Sequence, residues 1–389
     1  MADQVDLVVV GGGPAGLSAA KAYREAGGRG RVRLLSADTE PPYDRPPLSK
    51  DFLRGEVGDA DLPMESADFY ARRGIELGLA DPVTNLDPEA QVVVRASGTP
   101  IEYGDCVLAT GAEPVRPPVP GVDHPEVRTL RTAADSRRLR DAARRSRTAV
   151  VVGSGFIGCE AAVSLSRLGV DVTLLTPESL PQEARLGEAA GRRIARWLRA
   201  EGVRPLVGTE LAGIEDGRHV ETASGDALDT DLVLLATGIA PCSELAEKAG
   251  LDLHGGRVRV DEHLRSAVPG VLACGDVALA YNVSAQRALP VEHWGEAVTM
   301  GEIAGRTAAG ASASWSGVPG FWSVIGDRVL KYAAWGDAFD HAEIVEHGPD
   351  AFTVWYGQAG RTVGVLTHQA DEDHKRGARL VEWAAPLPV

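Results

Sequence analysis

Glycines 11, 13 and 16, and again 153, 155 and 158, stand at the spacing G-x-G-x-x-G, each time directly after a short apolar run. The runs are VDLVVV at 5–10 and TAVVV at 148–152. In such a turn the first glycine allows a tight bend, the second lets backbone approach a pyrophosphate, and the third brings a helix against the strand. The helix that begins there offers its free amides and the positive end of its dipole to phosphate. Pro14 and Ala15 complete the first motif, Phe156 and Ile157 the second. One copy is weak evidence in a chain with 45 glycines, but two copies in the same setting are specific. An acid about 20 residues beyond the glycines is expected to take ribose hydroxyls. Asp38 lies 22 residues after Gly16, with Glu40 close by. In the second copy Thr176, Pro177 and Glu178 follow the strand instead. Glu178 at a 2′-hydroxyl favours NADH; Arg185 is not far off, so NADPH stays open.

These residues need a strand, a turn, a helix and a second strand to hold them, and the pattern supplies that frame twice. An Ala/Leu-rich stretch follows each turn and runs out at Gly27–Gly28 and at Gly169, plausible helix stops. Apolar strands at 32–35 and 172–175 come next, giving two βαβ units. VLATG at 107–111 and LLATG at 234–238 end alike, so Thr110 and Gly111 match Thr237 and Gly238. A further apolar run, VLACGD at 271–276, ends in Gly275 and Asp276. An Asp there can accept hydrogen bonds from sugar-alcohol hydroxyls, although Gly-Asp alone is ordinary turn chemistry. Alternation at 352–356 and 361–366 reads as antiparallel strands joined by a glycine turn, with Pro319–Gly320 as a boundary before them.

The 389 residues, 44% hydrophobic and 24% charged, describe a globular chain long enough for two or three domains. Forty basic against 55 acidic residues give −15, which argues against non-specific nucleic-acid binding. No apolar run reaches the ~18 residues of a membrane span, and the chain enters a strand at once. The expectation is a cytoplasmic protein with no membrane partner. Cys106, Cys159, Cys242 and Cys274 lie far apart, with no C-x-x-C and no metal-ligand spacing, and read as structural thiols with no metal site. Seven arginines and two aspartates within 131–147 read as a solvated helix face, or otherwise as a basic patch for docking.

Taken in order, these motifs resemble the FAD/NAD(P)-dependent pyridine-nucleotide disulfide oxidoreductase superfamily across nearly the whole chain. The run PYDRPPLSK at 42–50 is its most specific part and resembles the ferredoxin and rubredoxin reductases of bacterial oxygenase systems. LRT at 130–132 with Ala134 and Asp135, VEHW at 291–294 with Ala297 and Gly301, and FWS at 321–323 add to the likeness. Disulfide reductases carry reactive cysteines near 42–50; this chain has none before Cys106. The resemblance implies an α/β protein with two Rossmann-like domains, for FAD and NAD(P), plus a small α+β C-terminal domain. Residues 1–112 and 243–317 would hold FAD, 113–242 NAD(P), and 318–389 would form the last domain. Met300, Val324–Ile325 and Pro290 depart from the Gln, Asp-Gln and Arg usual in that branch, at the expected flavin edge and partner surface.

The resemblance also assigns roles. FAD would lie with its pyrophosphate at Gly11, Gly13 and Gly16, its adenosine ribose at Asp38, and its ribityl chain at Asp276. Arg45, Thr110 and Gly111 would touch the pyrophosphate or the ring side. NADH would sit on Gly153, Gly155 and Gly158 and deliver a hydride to the flavin, beside an electrostatic pair of Lys50 and Glu160. Trp294 and Trp322, flanked by Glu292 and His293, would cover the edge where electrons leave singly, or else serve as packing. The implied activity is NAD(P)H:ferredoxin or rubredoxin reductase serving an oxygenase such as a cytochrome P450, as a monomer or homodimer. An NADH oxidase or nitrite-reductase-type flavoprotein, and a redox-gated interaction protein resembling apoptosis-inducing factor, are the alternatives.

Overall fold

The computed structural model describes residues 3–388, which divide into two compact units. The first comprises residues 3–44, 63–113 and 240–320. Its centre is the strand Asp3–Val10, paired in parallel with Val32–Leu35 on one side and Pro100–Leu108 on the other. Val8 and Val9 are fully buried, which is why this strand reads as a continuous apolar run rather than an alternating one. Ile75–Gly78 extends the sheet in parallel beyond Val32–Leu35, and Val271–Ala273 pairs in parallel with Pro100–Leu108. Helix Pro14–Glu25 crosses helix Trp294–Ala308 at backbone distance. A Cβ on Gly301 would lie 2.2 Å from the Ala15 carbonyl oxygen, and one on Gly305 2.1 Å from that of Ala19.

The second unit comprises residues 45–62, 114–239 and 321–388. It repeats the parallel design, in the order Arg204–Leu206, Asp171–Leu175, Thr148–Val152, Leu232–Leu235, Val127–Thr129. Its C-terminal part is a five-stranded sheet in which Phe352–Gln358 and Arg361–His368 pair antiparallel, as their alternation predicts. One apolar core joins both sheets: Leu186, Ile194 and Leu198 of helix Glu183–Ala200 pack with Ile325, Leu330, Val354 and Leu366. That helix is interrupted at Gly187 (φ 74°), and the freed Leu186 carbonyl accepts the Tyr356 hydroxyl at 2.8 Å.

Residues 45–62 are pinned into this unit through both backbone and side chains. Ser136 Oγ donates to Leu48 O at 2.8 Å and Ser164 Oγ to Ser49 O at 2.7 Å. The arginine-rich stretch contributes more than a solvated face. It forms helix Ala133–Ala143, whose Arg137 and Arg140 lie over the Phe52 ring at 5.6 and 5.4 Å. Arg137 also donates to Asp59 at 2.7 Å and Arg140 to Phe52 O at 3.1 Å. Arg138, Arg144, Arg145 and Arg147 are exposed as a solvated face requires, and Arg138 and Arg144 pair locally with Asp135 and Asp141. No helix among the described residues is long and apolar enough to cross a membrane.

Candidate functional site

The first glycine turn is shaped by what it touches. Gly11 has φ +124°, and a Cβ there would meet Ala109 O at 2.0 Å; one on Gly16 would meet Gly11 O at 2.0 Å. Helix Pro14–Glu25 starts at Gly13 with no side-chain cap, so its first amides face outward from a bare glycine bend. Gly275 (φ +74°) comes against the same helix start, its would-be Cβ 3.1 Å from that of Ala15, which brings buried Asp276 beside this turn. Asp38 follows strand Val32–Leu35; its Oδ2 accepts the Tyr43 hydroxyl at 2.8 Å and its Oδ1 the Glu40 amide at 3.2 Å. Thr110 Oγ1 donates to Cys242 O at 2.7 Å, committing its proton to backbone.

The second turn reproduces the first within its own unit. Gly153 has φ +105°, its would-be Cβ 2.3 Å from Ala236 O, and a Cβ on Gly158 would meet Gly153 O at 2.1 Å. Helix Phe156–Arg167 begins at Gly155, again without a side-chain cap. Ala236, Thr237 and Gly238 stand where Ala109, Thr110 and Gly111 stand in the first unit, and Thr237 likewise donates to backbone, at Val115 O, 2.7 Å. The shared Ala-Thr-Gly endings thus have a cause: each packs directly under the first glycine of its turn. Thr176 is buried and bonded to Ser154 Oγ at 2.9 Å. Glu178 is half-buried, with Oε2 accepting the Glu183 amide at 2.9 Å.

Lys50 and Glu160 meet in this second unit. Lys50 Nζ lies 2.8 Å from Glu160 Oε2, with both side chains largely buried. Ser49 Oγ donates to the same oxygen at 2.5 Å. Glu160 Oε1 accepts the Ser323 hydroxyl at 2.7 Å and the Val324 amide at 3.1 Å. Each carboxylate oxygen therefore receives two donors. Ser49 and Ser323 fall inside the runs at 42–50 and 321–323, but nothing in the sequence ties either to Glu160, because distances of 111 and 163 residues along the chain carry no local signal.

The remaining candidates fall elsewhere. In the second unit, Arg45 precedes the turn Pro46–Ser49 and donates to Arg131 O at 3.4 Å. Trp322 is 46% exposed on the edge strand Gly320–Ile325. In the first unit, His293 stands just before helix Trp294–Ala308 without a side-chain cap bond, Trp294 opens that helix, and Glu292 is held by Arg257. Glu296, in the first turn of that helix, went unnoticed in the sequence. Burial pushes its carboxyl above the usual range, opposed by a hydrogen bond from Trp315 Nε1 at 3.0 Å. All four cysteines are free, and burial raises the thiols of Cys106, Cys159 and Cys274 far from the thiolate range.

Two glycine-built helix starts, each at the end of a strand with parallel neighbours on both sides, define a protein with two dinucleotide sites. The family model for pyridine nucleotide-disulphide oxidoreductases matches residues 5–301, and the chain belongs to that family. A ferredoxin–NAD(P)(+) reductase of Sphingomonas sp. is 32% identical, with 98% of this chain and 93% of the relative covered. The ferredoxin reductase for the CYP199A2 system from Rhodopseudomonas palustris superposes with a TM-score of 0.92 at 29% identity, covering 99% of this chain and 95% of that one. The putidaredoxin reductase–putidaredoxin covalent complex gives 0.92 at 28% identity, covering 99% and 94%. The family implies FAD and a nicotinamide dinucleotide. Both turns fit such groups, since the missing side chains at the first and third glycines let each bend close tightly on its own backbone and each helix start lacks a side-chain cap.

Proposed function

We propose that this chain is an FAD-dependent, NADH-preferring reductase that passes electrons to a ferredoxin or rubredoxin serving an oxygenase. The observation that carries the reading is the Lys50–Glu160 pair, built from the 42–50 run and from the helix of the second glycine turn. Relatives named as ferredoxin and rubredoxin reductases, matched over most of their length, support the choice of acceptor. Bound FAD supplies the chemistry, taking two electrons together from the nicotinamide and releasing them singly to an iron–sulfur carrier.

The protein's share is position and field. Gly11, Gly13, Pro14, Ala15 and Gly16 would hold the FAD pyrophosphate on free helix amides, with Asp38 at a ribose and Asp276 at the ribityl hydroxyls. Gly153, Gly155, Phe156, Ile157 and Gly158 would hold the nicotinamide dinucleotide the same way. Glu178 at the end of its strand supports NADH, because a 2′-phosphate there would meet a carboxylate. Lys50 would offer its ammonium, and Glu160 would keep that ammonium in place. The domain division follows: 1–112 with 243–317 for FAD, 113–242 for NADH, and 318–389 beyond.

The test is anaerobic stopped-flow mixing of the yellow protein with NADH and with NADPH, then cytochrome c reduction with and without an added ferredoxin. Faster bleaching by NADH and carrier-dependent cytochrome c reduction are expected. A colourless protein that takes up no flavin would sink the reading, and oxygen consumption that needs no carrier would move it to the oxidase class.

A further inference from the structure

Strand Gly320–Ile325 and helix Phe156–Arg167 run in matched register. Phe321 packs on Phe156 with ring centroids 4.4 Å apart, and two residues on Ser323 reaches Glu160, four residues further along the helix. A strand advances about 6.7 Å in two residues and a helix about 6 Å in four, so the two ladders stay in step. Trp322 points to the other side of the strand and is 46% exposed. Ile325, on the same face as Phe321 and Ser323, is buried in the shared core. The C-terminal sheet is thereby keyed to the nucleotide helix at two positions, Phe321 on Phe156 and Ser323 on Glu160, and the second ends on a carboxylate.

That carboxylate is the one that holds Lys50. Among its four donors, Ser49 and Lys50 come from one segment and share Oε2, while Ser323 and Val324 come from the C-terminal sheet and share Oε1. With Oε1 fixed by two donors, rotation of the carboxyl is blocked and Oε2 can face Lys50 in one direction only. Lys50 Nζ also donates to Ser49 Oγ at 3.3 Å, so that hydroxyl donates a hydrogen bond to Glu160 while accepting one from the ammonium. We propose that Ser323 is a positioning residue for the Lys50–Glu160 pair, by which the C-terminal sheet sets the place of the Lys50 ammonium. This rests on the reading of Lys50 given under Proposed function, but its geometry can be examined without that reading.

The experiment compares the wild-type chain with Ser323→Ala, Ser323→Cys and Ser323→Thr, each full length, with FAD and stripped of it. Lys50 is acylated with a water-soluble succinimidyl acetate, and its labelling rate is read from peptide masses beside a melting curve for each protein. Loss of the hydroxyl frees the carboxyl to turn and loosens its grip on the ammonium. Ser323→Ala and Ser323→Cys should therefore label Lys50 faster by about threefold or more, and Ser323→Thr should return to the wild-type rate. In the FAD-loaded proteins the same two variants should slow flavin bleaching at saturating NADH while leaving NADH affinity within about twofold, a split that falls on kcat rather than KM. Ser323→Cys, nearly the same size but a poor donor, guards against a fold lost to the alanine cavity. Labelling of Lys50 at the wild-type rate in both Ser323→Ala and Ser323→Cys would overturn the inference, even if both melt earlier. A failure of the wild-type protein to take up FAD would instead strike the functional reading and leave the labelling result standing.

Discussion

Lys50 and Glu160 stand 110 residues apart in the chain and 2.8 Å apart in space. Removing either one leaves the other largely buried with its partner gone, so this pair is where single substitutions should tell most. Lys50→Ala should keep its FAD but slow flavin reduction by about 10- to 100-fold, as expected when a positioned charge is lost; retention of the full stopped-flow rate would dismiss its role. Glu296 gives a pH dependence of the opposite kind from most carboxylates. Its carboxyl is raised by burial, so the folded chain holds the proton more tightly than the unfolded one. Stability from this group is therefore present at low pH and lost as pH rises from the ordinary carboxylate range through the raised folded value. Glu296→Gln, still able to accept from Trp315 Nε1, should melt higher than wild type near neutral pH, and the gap should close on acidification.

Among the elements, the crossing of Pro14–Glu25 with Trp294–Ala308 depends on the missing side chains of Gly301 and Gly305. With Ala19 O 2.1 Å and the Tyr23 amide nitrogen 2.9 Å from a would-be Cβ, Gly305→Ala must push the helices apart. A loss of about 1–3 kcal/mol in urea unfolding is expected, with weaker FAD retention because the crossing carries the first glycine turn. The break in Glu183–Ala200 offers a second test. Tyr356→Phe removes the only hydroxyl shown on Leu186 O, in a buried place, and should cost about 1–3 kcal/mol. An unchanged midpoint would mean that water replaces it. The aligned glycines announced Pro14–Glu25 but not Trp294–Ala308 or Glu183–Ala200. Neither the crossing nor the break was visible, because each depends on backbone atoms far away in sequence.

At the scale of the whole chain, the two dinucleotide turns make stability a function of what is bound. A group that binds only the folded chain adds stability as its concentration exceeds its dissociation constant, about 4 kcal/mol at a thousandfold excess. Stripping FAD should lower the melting temperature, and re-addition should restore it. Hydrogen exchange should report the difference first at the 11–16 turn, at Asp38 and around Gly275–Asp276. Protection confined to the second unit on FAD addition would reverse the assignment of the two turns. The net charge of −15 favours solubility and leaves docking of a carrier to local surfaces rather than to overall attraction.

What the sequence determined alone was everything whose cause is local. Glycine spacing, apolar runs and helix stops fix the two βαβ units, because tight bends and buried strands demand those residue types in order. The alternation at 352–366 fixed its hairpin for the same reason. Tertiary structure decided what depends on distant partners: the Ala-Thr-Gly endings seated beneath Gly11 and Gly153, Phe52 clasped by Arg137 and Arg140, and Ser323 on Glu160. A hydrogen bond has a range of about 3 Å and no memory of chain distance, so only the folded backbone can say which hydroxyl meets which carboxylate.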